Sequence, residues 1–100
     1  MNNLHVVNSK SLRGNIVKSL YDIYDMPIPI SKIGELLRYK NFYSKEDIKR
    51  ATSYLAGKEK EFVTIEVNEK DYYASFIQLT PKGINLAEGD ITDIGVLFNE

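Results

Sequence analysis

The chain has 100 residues, a formal net charge of −1, 43% hydrophobic and 27% charged side chains, and no cysteine. That suits one small globular domain with little core to spare, which dimerisation would reinforce. The composition excludes a disulfide framework and a thiolate metal site; the lone His5 leaves no histidine cluster, and no apolar run approaches the ~20 residues of a membrane span.

Residues 1–10 are polar, lack periodicity and read as an N-terminal arm. Ser9 or Ser11 is placed to cap a first helix that runs to about Asp25. Leu12, Ile16, Leu20 and Ile23 line one face of that helix, and Val17, Tyr21 and Tyr24 form a second stripe beside it. An apolar arc this wide is either deeply buried or a dimer contact. Met26-Pro-Ile-Pro-Ile30 then ends the helix, because each proline restricts the residue before it and donates no backbone hydrogen bond. Ile28 to Ile30 is expected as a short strand lying against a later hairpin.

Ser31 opens a second helix with Ile33, Leu36 and Leu37 facing inward, and Gly34 is expected to permit close packing. The connector Tyr39-Lys-Asn-Phe-Tyr43 holds aromatics that are either core plugs or an exposed anchor patch. Ser44 opens a third helix, and Asp47, three residues on, stands at capping-box spacing. Ile48, Ala51 and Leu55 face the core there, with Lys45, Lys49, Arg50, Thr52 and Ser53 outward. Gly57 is placed to act as a left-handed C-cap.

Glu61 to Val67 and Tyr72 to Thr80 are rich in β-branched and aromatic residues and read as strands joined by Asn68-Glu-Lys-Asp71. The first alternates cleanly. The second sets Tyr72, Ala74 and Phe76 against Tyr73, Ser75, Ile77 and Leu79 without choosing a face, so either a bulge re-aims it or both faces are partly covered. Thr80-Pro81 starts a short last helix that Gly89 ends. Residues 90–100 alternate acids with Ile91, Ile94, Val96, Leu97 and Phe98, too apolar for a free tail, and are expected to dock on the domain or on a second subunit.

Helix, short strand, capped helix pair and hairpin make an α+β order, that of a winged helix-turn-helix. It comprises an arm at 1–10, a domain at 11–89 with a three-helix core, a β-hairpin wing and a short C-terminal helix, and a docking tail at 90–100. The chain resembles bacterial winged-helix regulators in Tyr54-Leu55, leading through Gly57-Lys58 to Phe62-Val63, and in the closing Leu79-Thr80-Pro81-Lys82-Gly83. The ending Glu88-Gly-Asp-Ile-Thr-Asp-Ile-Gly-Val96 resembles more particularly small winged-helix proteins of phage and prophage regions. The resemblance spans residues 11–97, rests on short motifs, and implies that the third helix takes the recognition position. At the hairpin tip the chain departs from it. Glu69-Lys70-Asp71, flanked by Glu66, stands where wings that enter a minor groove carry basic side chains.

Residues 31–60 hold eight basic against four acidic side chains, and residues 61–100 hold two against eight. The helix pair is therefore the basic part of an acidic chain. Lys45, Lys49, Arg50 and Ser53 are candidate contacts for a third helix in a major groove, with Lys32, Arg38 and Lys40 holding the flanking backbone. The plain alternative is a solvated helix face. So few contacts bind weakly and salt-sensitively, so a homodimer on double-stranded DNA is expected, joined through Val17, Tyr21 and Tyr24. Seven tyrosines, the acidic hairpin and the apolar tail fit instead a phage-related adaptor with a protein partner and no DNA. No enzyme, metal or cofactor is expected: no nucleophile stands with a base, no glycine-rich phosphate loop occurs, and the acid clusters lie in turns. With no signal-like N-terminus, a cytoplasmic protein is expected.

Overall fold

A computed structural model of the chain describes residues 3–37 and 43–98. Its elements are α1 (Asn3–Asp22), β1 (Ile28–Pro29), α2 (Ser31–Leu37), α3 (Lys45–Ala56), β2 (Val63–Glu66), β3 (Phe76–Leu79) and α4 (Pro81–Ala87), with a 3-10 turn at Tyr72–Ala74. The strands form one antiparallel sheet in the order β1-β3-β2. Among the described residues this is a mixed α+β fold of four helices and three strands. Among the described residues no helix is long and apolar enough to cross a membrane.

The expected short strand forms where the two prolines end α1. Ile28 pairs with Ile77 and Pro29 with Phe76. Proline is tolerated there because β1 is an edge strand. Beneath the sheet, Leu12, Ile16 and Leu20 of α1 meet Ile33 and Leu37 of α2, Ile48 and Leu55 of α3, and Val63, Ile77 and Leu79 of the sheet. Ile16, Leu55 and Ile77 are fully sealed at 0% exposure.

Four expectations need correction. First, α1 begins at Asn3, upstream of the Ser9 or Ser11 expected to cap it. Neither glycine nor proline interrupts Asn3 to Arg13, and Leu97 N–H bonds the Lys10 carbonyl across that stretch at 3.1 Å. Second, the proposed dimer stripe divides. Val17 is fully buried in the core and offers no surface. Tyr21 is half-buried and donates its hydroxyl to Glu88 Oε2 at 2.6 Å, leaving only Tyr24 exposed. Third, Gly57 ends α3 with an extended backbone (φ −58°, ψ 155°), and the left-handed residue in that turn is Glu61 at φ 55°.

The fourth correction is the return strand. Tyr72 to Ala74 form the 3-10 turn, and only Phe76 to Leu79 pair with β2, Ile65 opposite Ile77 and Val63 opposite Leu79. The turn re-aims the chain, so Ile77 and Leu79 face the core while Phe76 and Gln78 face away. It is neither a bulge nor a doubly covered strand. The turn is capped by Asp71, whose Oδ1 accepts from Tyr73 N–H at 3.1 Å.

The C-terminal segment Asp90 to Phe98 lies on α1 and the end of α3. Asp93 is its anchor, accepting from the Tyr54 hydroxyl (2.6 Å), Lys60 Nζ (2.8 Å) and Gly95 N–H (3.0 Å). Partial burial alone would raise the Asp93 pKa, but these hydrogen bonds outweigh it and hold the carboxyl below the usual range. Arg13 stacks on the Tyr54 ring, 4.0 Å from its centre, and donates Nη1 to the Gly95 carbonyl at 2.8 Å. The segment approaches so closely that a Cβ on Gly14 would overlap the Leu97 carbonyl oxygen, and one on Gly95 the Tyr54 hydroxyl.

Candidate nucleic-acid interface

α3 is positioned by its own sequence at both ends. Asp47 N–H donates to Ser44 Oγ at 3.1 Å and Ser44 N–H to Asp47 Oδ2 at 3.2 Å, a complete capping box. Ile48, Ala51 and Leu55 pin its apolar face to the core. Lys45, Lys49, Arg50 and Ser53 therefore stand on the exposed face, as the spacing predicts.

These four are not electrostatically equal. Arg50 Nη2 lies 2.7 Å from Asp47 Oδ1, so its guanidinium is partly neutralised within its own helix. Asp47 is held below the ordinary carboxylate range, chiefly by the Ser44 backbone N–H, with further help from Arg50. Lys45 and Lys49 have no acidic partner among the described residues. Each ammonium instead lies over a tyrosine of the 3-10 turn: Lys45 is 5.3 Å from the Tyr73 ring centre and Lys49 5.4 Å from that of Tyr72. On α2, Lys32 is exposed and 3.6 Å from Glu35, a surface pair of little energetic weight. Arg38 and Lys40, with Tyr39 and Phe42 of the connector, lie outside the described residues; Tyr43 is half-buried.

Sequence reasoning missed Tyr72, Tyr73 and Thr52. Thr52, expected outward, is fully buried: its Oγ1 donates towards the Ile48 carbonyl at 2.9 Å and sits 2.8 Å from the Tyr72 hydroxyl. That bond ties the turn to the helix. The two rings meet edge-on, 5.7 Å apart, and extend the α3 face sideways. Partial burial, then Glu46 and Asp71, push the Tyr73 hydroxyl pKa up, so it stays a neutral donor at physiological pH. The available signal was Asn68 and Asp71, turn formers whose side chains bond nearby N–H groups. Asn68 Oδ1 indeed accepts from Lys70 N–H and Asp71 N–H.

The face presents two ammoniums with no acidic partner among the described residues, a serine hydroxyl and two phenols. Among the described residues, no three His, Cys, Asp or Glu side chains are grouped to hold a metal. Comparison of the chain with models of protein families, with curated proteins and with solved structures gives no match in any of the three.

Proposed function

We propose that this protein is a winged helix-turn-helix that binds double-stranded DNA through the exposed face of α3, as a transcriptional regulator or accessory factor. The observation that carries this reading is the pair Lys45 and Lys49. They project from a rigidly capped helix, beside a hairpin, with no protein anion among the described residues to neutralise them. Phosphate is the counter-charge such a face lacks. The element order and the sheet order β1-β3-β2 fit a third helix that enters a major groove with the hairpin at its flank. Tyr72 and Tyr73 add hydroxyl donors at the edge of the same surface. A homodimer would double the contacts; of the expected stripe, Tyr24 at 46% exposure, with Met26 beside it at 59%, remains to form it.

A second reading is favoured by one observation. The hairpin carries Glu66, Glu69 and Asp71, all exposed, which repel phosphate and suit a basic protein partner. A fluorescence-anisotropy titration against random-sequence duplex at about 50 and 200 mM salt separates the two. Roughly four phosphate contacts give a slope near −3.6, so affinity should fall about 100-fold between those salts. Absence of binding at the lower salt would leave the protein-adaptor reading.

A further inference from the structure

Next to the α3 face lies a cleft of about 310 Å³ between α2, α3 and the 3-10 turn. This is within the ~300–1,000 Å³ range of small-molecule sites. Buried Ile30 and Ile48 form its floor, Tyr43 and Tyr73 contribute aromatic walls, and Lys45 and Asp71 stand on its lining. Two observations distinguish it from an idle crevice.

The first is charge. Lys45 and Asp71 carry opposite signs and line one cleft, yet neither forms an ion pair, with the other or with any other described residue. Asp71 uses Oδ1 to cap the turn, and Oδ2 takes no hydrogen bond among the described residues. A cleft that holds two opposite charges apart is complementary to a molecule carrying both.

The second is Gly34. It lies inside α2, where glycine weakens a helix relative to alanine. Close packing does not require it, contrary to expectation: an added Cβ would meet only Ile48 Cδ1, at 3.8 Å. Its backbone is not in the left-handed region either. Gly34 is one of the residues lining the cleft, and a Cβ there has room beside Ile48.

We propose that this cleft binds a small zwitterion with a flat apolar side chain, of the class of free aromatic α-amino acids. The carboxylate meets Lys45 Nζ, the ammonium meets Asp71 Oδ2, and the ring lies between Tyr43 and Tyr73 over Ile30 and Ile48. The assignment does not depend on DNA binding.

The test is a 1H–15N NMR titration of the full chain with L-phenylalanine, beside 3-phenylpropanoate and phenethylamine, which each lack one charge. Saturable shifts confined to residues 30–34, 43–48 and 71–74 are expected, with both analogues at least about tenfold weaker, the equivalent of one lost polar contact. Gly34→Leu fills the cleft from α2 and should weaken phenylalanine binding by at least about tenfold while leaving the remaining resonances in place. Asp71→Asn keeps the turn cap and should abolish the preference for phenylalanine over 3-phenylpropanoate. No saturable shift up to about 10 mM, far above the range of a useful site, would overturn the proposal. So would equal binding of the three probes, or binding unaffected by Gly34→Leu.

Discussion

Gly14→Ala offers a perturbation whose sign reports on the C-terminal segment. In an exposed helix interior, alanine is better than glycine by about 1 kcal/mol. Here the new Cβ would overlap the Leu97 carbonyl oxygen and lie 2.8 Å from its carbon, so the segment must shift. The bonds at risk are Leu97 N–H to Lys10 O, Arg13 Nη1 to Gly95 O and, with a larger shift, the three to Asp93. Losing the first two costs about 2.5–4 kcal/mol at ~1 for the neutral bond and ~1.5–3 for the charged one. Offset by the helix gain, the net is about 2 kcal/mol of destabilisation, a fall of roughly 8–16 °C in Tm for a domain this size. Thermal unfolding followed by circular dichroism measures it. The control is the same substitution in a chain ending at Gly89, where nothing faces residue 14 from the segment and Tm should rise by about 4–8 °C. If Gly14→Ala stabilises both chains alike, the segment does not dock on α1 as described.

The clasp at Asp93 also sets a pH window. Its lowered pKa means that its contribution is complete above the unfolded value of 3.8 and is lost as pH falls through the folded one. Lys60 is raised by its hydrogen bond to Asp93, and Tyr54 by burial and then by the same carboxylate. Their contributions are complete below 10.5 and 10.0 and are lost as pH rises through the folded values. Tm should thus be flat from about pH 5 to 9 and fall on both sides, and the Asp93→Asn curve should meet the wild-type curve in acid. Leu55→Ala should cost about 2–5 kcal/mol in urea unfolding, because the site is sealed and cannot collapse. Thr52→Val should cost about 1–3 kcal/mol by stripping the Tyr72 hydroxyl of its partner, a loss that Tyr72→Phe in the same chain should largely absorb.

What was legible in the sequence is local chemistry. The Ser44–Asp47 box, the proline-bounded strand at Ile28 and the Thr80-Pro81 helix start each depend on residues within one turn of each other. What was not legible depends on distant partners. Thr52 sits on the flank of α3, where its hydroxyl back-bonds to the Ile48 carbonyl, and Tyr72, brought alongside by the 3-10 turn, covers and bonds it from a distant part of the chain. Tyr72 to Ala74 have strand-like composition, and side-chain caps from Asn68 and Asp71 override it. The apolar count of residues 90–98 indicated docking but not the place, which small gaps at Gly14 and Gly95 determine. Arg50 has the best side chain for reading guanine, yet an intrahelical carboxylate already engages it.

The most direct test of the DNA reading is a charge-reversal comparison in the anisotropy assay at about 50 mM salt. Lys45→Glu with Lys49→Glu is set against Lys18→Glu with Lys58→Glu, exposed lysines off the α3 face that impose the same change in net charge. The first pair should weaken duplex binding by more than about tenfold and lower the salt slope by about 1.8, with the second close to wild type and all three proteins folded. Equal weakening by both pairs would mean that only overall charge matters, and α3 would then have no claim to be the DNA-binding surface.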